Sequence, residues 1–108
     1  KKVFPEEVEA VLEKSPYFAE ICVVGTSRSG GSKDGTEEIT AVIVPHKEIL
    51  EKYHETDLEK VIRAEVKQLS THLTSYKRPV NIVIRKDELP RTATRKVKRK
   101  EVKQLIEA

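Results

Sequence analysis

The sequence predicts a small α+β fold, and three observations carry that prediction. Three short apolar runs bounded by turn-forming residues, at 20–25, 38–44 and 80–84, read as strands. Between and around them, apolar residues recur at helical spacing, most clearly Leu58, Val61, Ile62, Val66, Leu69 and Leu73, whose ordinary role is to pack one helix face against a sheet. At 108 residues, the chain is the size of one domain with a modest core.

Taken in order, the chain begins extended at Val3 and Phe4 and then turns helical. Pro5 is acceptable at the first helical position, Glu6 and Glu7 favour the positive end of the helix dipole, and Val8, Val11 and Leu12 form the buried stripe. Residues 20–25 are almost wholly apolar and end in Gly25, which suits a central strand buried on both faces. The single cysteine, Cys22, lies within Ile21-Cys22-Val23-Val24 and reads as a buried strand residue, with no second cysteine to pair with. Residues 26–36 are rich in Gly and Ser and read as a flexible surface loop; they contain neither G-x-G-x-x-G nor G-x-x-x-x-G-K-[ST], which argues against a phosphate-binding loop. The strand at 38–44 is expected antiparallel to the first, because a parallel pair needs a longer crossover, and Pro45 ends it.

A short helix is expected over 46–53 and a long one over 57–73, capped by Thr56 or Asp57. His46, His54 and His72 lack metal-ligand spacing and read as surface or structural residues, so no metal site is expected. Ser75-Tyr76-Lys77-Arg78-Pro79 breaks the long helix, with Tyr76 expected as a partly buried packing residue whose hydroxyl reaches the surface. From Lys98, the chain reads as a final helix docking through Val102, Leu105 and Ile106.

The formal charge of +3 is unevenly placed. Residues 86–108 hold eight cations and four anions, leaving the first 85 residues at −1. Between Arg91 and Lys103, the cations Arg91, Arg95, Lys96, Lys98, Arg99, Lys100 and Lys103 face the single anion Glu101. Pro90 disfavours helix at Leu89, and the hydroxyls of Thr92 and Thr94 bond readily to nearby backbone, so 90–94 should be an exposed loop, the usual place for a presented functional side chain. Two readings of this segment stand side by side. A run of like charge is commonly a solvated face or a polyanion-binding patch. Alternatively, one lysine at the loop's end is aimed at a phosphate and a carboxylate together. No apolar run approaches the roughly 20 residues needed to span a bilayer, and no N-terminal signal pattern is present, so a cytoplasmic protein, at most peripheral to a membrane, is expected.

Leu89, Pro90, Arg91, Thr92, Ala93, Thr94, Arg95, Lys96, Val97, Lys98 and Arg99 resemble the signature L-P-[RK]-T-x-[ST]-G-K-[IV]-x-R of the acyl-adenylate-forming enzymes, which include acyl-CoA synthetases, peptide-synthetase adenylation domains and luciferase. One position departs: Arg95 stands where the family usually has Gly, which permits positive φ, so Arg95 should hold a more ordinary conformation. A second resemblance lies at the other end, where K-K-V-F-P-E-E-V-E is similar to the family's G-x-K-[IV]-x-P-x-E-[IV]-E, and a third at Tyr76-Lys77-Arg78-Pro79, similar to Y-K-x-P.

The resemblance spans nearly the whole chain and implies a three-stranded mixed or antiparallel sheet with packed helices. Residues 1–108 would form a single C-terminal domain, with the large N-terminal adenylation domain and the hinge lying upstream of Lys1. It implies a two-step reaction: a carboxylate attacks the α-phosphate of ATP, then a thiol, usually coenzyme A, takes the acyl group and releases AMP. Lys96 matches the family's catalytic lysine, with Thr92, Thr94 and Arg95 forming the loop that faces substrate and nucleotide. Lys2, Lys77 and Arg78 are candidates for the thioester face or for CoA phosphates. ATP/AMP with Mg2+ and coenzyme A are the implied cofactors of a full-length enzyme, none of them bound by these 108 residues alone. The pattern T-A-T-R-K-V-K-R resembles bacterial fatty-acyl ligases more than peptide synthetases, making a fatty acid the expected carboxylate. The alternative is a small basic module for RNA or acidic membrane surfaces. Against an RNA role, Phe4, Tyr17, Phe18, Tyr53 and Tyr76, which could stack on bases, all lie outside the basic stretch.

Overall fold

The computed structural model describes residues 4–27, 37–94 and 96–107. In chain order the elements are helix α1 (Pro5–Leu12), strands β1 (Phe18–Ser27) and β2 (Glu37–Pro45), helices α2 (Lys47–Lys52) and α3 (Glu55–Ser70), a 3-10 turn (Ser75–Lys77), strand β3 (Asn81–Ile84) and helix α4 (Arg99–Glu107). The sheet is mixed, in the order β1-β2-β3: β1 and β2 are antiparallel, β2 and β3 parallel. The crossover between the parallel strands contains α2 and α3, the long connection that a parallel pair requires.

Strand alternation divides the core in two. Cross-strand rows such as Val23, Ala41 and Ile82 belong to one face; Cys22, Val42 and Val83 belong to the other. The first face packs with Val8 and Leu12 of α1 and with Leu58, Ile62 and Val66 of α3. The second packs with Leu89 and with Val102 of α4. Because helices or chain cover both faces, the strands read as continuous apolar runs rather than alternating ones. Ser15 links α1 to α3, its buried hydroxyl donating to Glu65 Oε2 at 2.6 Å while accepting the Tyr17 N–H.

Several expectations are corrected. The run at 20–25 is buried on both faces but is not central; β2 occupies the middle because it pairs with both other strands. Strand β1 continues through Thr26 and Ser27, and the rest of the expected Gly/Ser loop, 28–36, lies outside the described residues. Helix α3 starts at Glu55 with His54 as its N-cap and no side-chain cap, so neither Thr56 nor Asp57 caps it, and it ends at Ser70 rather than Leu73. Strand β3 begins at Asn81, the preceding Val80 remaining exposed. Tyr76 is 44% exposed, more open than a packing residue, and Leu105 is 46% exposed, so α4 docks through Val102 and Ile106 without it. His46, His54 and His72 are all at the surface.

Candidate functional site

The segment carrying Lys96 is a tight loop closed by backbone pairing. Arg91 and Val97 form an antiparallel bridge, the Lys98 N–H donates to Pro90 O at 2.8 Å, and the Thr92 N–H donates to Lys96 O at 2.8 Å. Thr92 also accepts the Lys96 N–H on its Oγ1 at 3.2 Å and shares a 2.9 Å hydrogen bond with the Thr94 hydroxyl. The two threonines thus shape the turn, local hydroxyl bonding of the kind that favours loops over helix. Lys96 is exposed, and among the described residues no carboxylate lies within ion-pair distance of it. Arg95, beside it, and Lys2 lie outside the described residues.

Carboxylates from distant elements hold the loop on both sides. On the entering side, Glu20 Oε1 accepts from Arg91 Nη2 at 2.9 Å, from Arg91 Nε at 3.1 Å and from the Leu89 N–H at 3.3 Å. On the leaving side, Arg99 Nη2 donates to both carboxylate oxygens of Glu9, each at 2.9 Å, and its Nε donates to Val23 O at 3.0 Å. Glu9 Oε2 in turn accepts the Val23 N–H at 2.7 Å. Partial burial works against the Arg99 charge, yet the Glu9 carboxylate holds the guanidinium above its ordinary value. Burial, reinforced by the Glu9 charge, pushes the neighbouring Cys22 thiol up to about 11, so Cys22 is not a nucleophile near neutral pH.

These pairings revise the charge run. Arg91 and Arg99 are committed to Glu20 and Glu9, and Lys98 meets Glu101 at 3.6 Å. The segment is therefore not a uniform basic patch. Glu9 and Glu20 escaped detection in the sequence, because each meets its arginine across 70 or more positions. The only hints were Glu9 in the P-x-E-[IV]-E string and Arg99 at the end of the lysine signature.

Lys77 and Arg78 lie elsewhere, at the 3-10 turn, and no hydrogen bond or ion pair joins them to the lysine loop among the described residues. Lys77 Nζ donates to Glu7 Oε1 at 2.8 Å, and this carboxylate holds the ammonium above its ordinary value. Arg78 uses Nε on Leu73 O at 3.1 Å, and among the described residues no hydrogen bond occupies its Nη groups. Arg78, Arg63 and Lys67 line a groove of about 320 Å³ with Ser70 and Thr71. Ser70 Oγ is buried there and has no hydrogen-bond partner among the described residues. Arg63 is paired with Glu59 at 2.9 Å, so Lys67 and Arg78 are the groove's cations without a carboxylate partner among the described residues. Among the described residues, no cluster of three or more His, Cys, Asp or Glu could hold a metal ion, and no helix is long and apolar enough to cross a membrane.

Comparison with known proteins agrees with this geometry. A probable CoA ligase of Humulus lupulus is 35% identical over 101 residues, covering 93% of this chain and 16% of the relative. The indoleacetate–CoA ligase of Aromatoleum aromaticum is 35% identical over 109 residues, covering 98% of this chain and 18% of that protein. The crystal structure of a benzoate CoA ligase from Burkholderia xenovorans superposes with a TM-score of 0.71 at 30% identity, covering 95% of this chain and 19% of that one. The chain thus spans less than a fifth of each of these relatives. Residues 7–96 match the model of the AMP-binding enzyme C-terminal domain. The chain belongs to that family, the small α+β domain of the acyl-adenylate-forming CoA ligases.

Proposed function

We propose that this chain is the mobile C-terminal domain of an ATP-dependent, AMP-forming acyl-CoA ligase, and that Lys96 supplies the charge for acyl-adenylate formation. The observation that carries the reading is a contrast within one loop: Arg91 and Arg99 on its stems are paired with carboxylates, whereas Lys96 at its end is exposed and has none among the described residues. An attacking carboxylate and an α-phosphate repel each other. An unpaired ammonium between them stabilises the in-line transition state while fixing both reactants, and a backbone-closed loop keeps it preorganised. Thr92 and Thr94 shape the turn, and Arg95, outside the described residues, is a further candidate for the substrate and nucleotide loop.

The nucleotide and acyl pockets belong to a large N-terminal domain and hinge preceding these residues, so ATP, with Mg2+ on its phosphates, and coenzyme A act in the full-length enzyme; the 108 residues do not turn over alone. After adenylation, the domain rotates, withdrawing Lys96 and bringing another face to the thiol. On that face, Arg78 is the proposed contact for a CoA phosphate, and Lys2, which lies outside the described residues, is a further candidate. Lys77, held by Glu7, is less available. The acyl substrate is a fatty acid, by the form of the lysine signature; relatives named for indoleacetate and benzoate make aromatic acids the competing class. A polyanion-binding role is weakened by the committed arginines.

The test is a split of the two half-reactions in the full-length enzyme, with fatty and aromatic acids in parallel. Lys96→Ala should slow pyrophosphate release by roughly 10²–10³-fold, the usual cost of losing one preorganised electrostatic donor. Thioester formation from supplied acyl-adenylate should fall far less. Equal damage to both steps would refute the role given to Lys96, and Lys100→Ala, an exposed neighbour on α4, serves as the control.

A further inference from the structure

Strand β1 pairs only with β2 among the described residues, so its other edge presents unpaired backbone groups. At Val23 that edge is closed by side chains instead of a strand. The Val23 N–H finds an acceptor in Glu9 Oε2, the Val23 C=O a donor in Arg99 Nε, and the two side chains close the ring through the bidentate contact at Nη2. Glu9 is well buried for a carboxylate, its side chain 14% exposed, and Arg99 is 37% exposed. Glu6 adds a longer contact to Arg99 Nη1 at 3.4 Å. The arrangement imitates a missing strand by one residue. It can form in only one orientation, since the backbone demands an acceptor on the α1 side and a donor on the α4 side.

Its location gives it a second consequence. Arg99 is the first residue of α4 and follows Lys96 by three positions, while Lys98 is already fastened to Pro90 by backbone. Glu9 sits on α1, at the opposite end of the chain. We propose that Glu9 and Arg99 are positioning residues for Lys96, a single hydrogen-bonded unit that ties the stem of the lysine loop to α1 and β1. Neither touches the reacting atoms; each acts through the placement of the loop. The pair transmits the orientation of α1 to the lysine, so that when the domain rotates, the loop moves with the body of the domain instead of lagging behind it. This inference rests on Lys96 being the adenylation lysine, but the tether itself stands on geometry alone.

Two measurements test it. In the full-length enzyme, Arg99→Lys keeps the charge and loses the fork, and Glu9→Gln keeps an acceptor for Val23 while losing the charge. Each should lower kcat for adenylation by roughly 10- to 100-fold, the scale of a small misplacement of a catalytic group, with KM for ATP and acid and the rate of thioester formation from supplied acyl-adenylate nearly unchanged. The double swap Glu9→Arg/Arg99→Glu should not recover activity, because it sets donor against donor at the Val23 N–H. In the 108-residue chain, amide exchange at Val23, Thr92 and Lys98 should quicken about tenfold or more in Arg99→Lys while Val42 in the sheet centre stays protected. Recovery by the swap, an equal fall in both half-reactions, or loop amides that exchange as in the wild type would each overturn the proposal. If Lys96→Ala leaves adenylation intact, the lysine assignment fails instead, and the exchange experiment still decides whether the tether holds the loop.

Discussion

The attachment of α4 decides whether the lysine loop has a firm base, and Val102 tests it. Val102 is fully buried in the second core cluster with Cys22, Val24, Val42, Val44 and Leu89. The loop lies between Leu89 and Val102, so these two side chains are its apolar anchors to the sheet. Val102→Ala removes two methyl groups from a closed site. At about 0.8 kcal/mol per buried carbon, the lost transfer energy is ~1.6 kcal/mol. A cavity that relaxes only partly adds on the order of 1 kcal/mol, for a total of about 2.5 kcal/mol. Urea unfolding of the 108-residue chain followed by circular dichroism reads this as a midpoint lowered by roughly 1–2.5 M for slopes of about 1–3 kcal/mol per molar. Leu105→Ala on the same helix is the internal contrast: at 46% exposure, its three carbons should cost no more than about 1.3 kcal/mol, roughly half of Val102→Ala. If Val102→Ala cost under about 0.5 kcal/mol, or no more than Leu105→Ala, α4 would not belong to the cooperative unit and the loop would lack the base assigned to it.

Two further outcomes are expected besides those of the half-reaction and tether experiments. Burial and the Glu9 charge lift the Cys22 thiol from the ordinary 9.0 to about 11, so the native state keeps a proton that the unfolded chain gives up. The associated stability is fully present below pH 9 and is lost as pH rises towards 11, with a slope approaching about 1.4 kcal/mol per pH unit; Cys22→Ala, though less stable from its cavity, should lack this component in urea titrations between pH 8 and 10.5, and equal slopes would contradict the assignment. In the full-length enzyme, Arg78→Ala should raise KM for coenzyme A by roughly tenfold, the scale of one charge-assisted hydrogen bond, without changing pyrophosphate release; an unchanged KM would remove Arg78 from the thioester face.

Features set by neighbouring residues were legible in the sequence. Pro5 and two glutamates start α1, and the apolar stripe of α3 packs on the sheet through Leu58, Ile62 and Val66. The loop at 90–94 also follows from Pro90 and two threonines that bond to each other and to backbone. Positions that depend on what arrives from elsewhere were harder to read. Leu105 has the right period for docking but stays half exposed and outside the Leu89 cluster, and the run at 20–25 reads as central because α4 and Leu89 cover the face that a solvated sheet would leave polar.

The same distinction governs the site. Seven cations between Arg91 and Lys103 look interchangeable in one dimension, and a count of them predicts a polyanion surface. Folding makes them unequal. Arg91 and Arg99 meet Glu20 and Glu9, both of which also satisfy backbone N–H groups, so these arginines are fixed in place by the same carboxylates that close the sheet edge and the loop entry. Among the described residues, Lys96 at the end of the loop has no carboxylate partner. A phosphate approaching Lys96 would break no ion pair with a described residue, whereas binding at Arg91 or Arg99 would cost a partly buried one. The unequal pairing of these cations thus originates in two glutamates, neither of which belongs to the lysine motif.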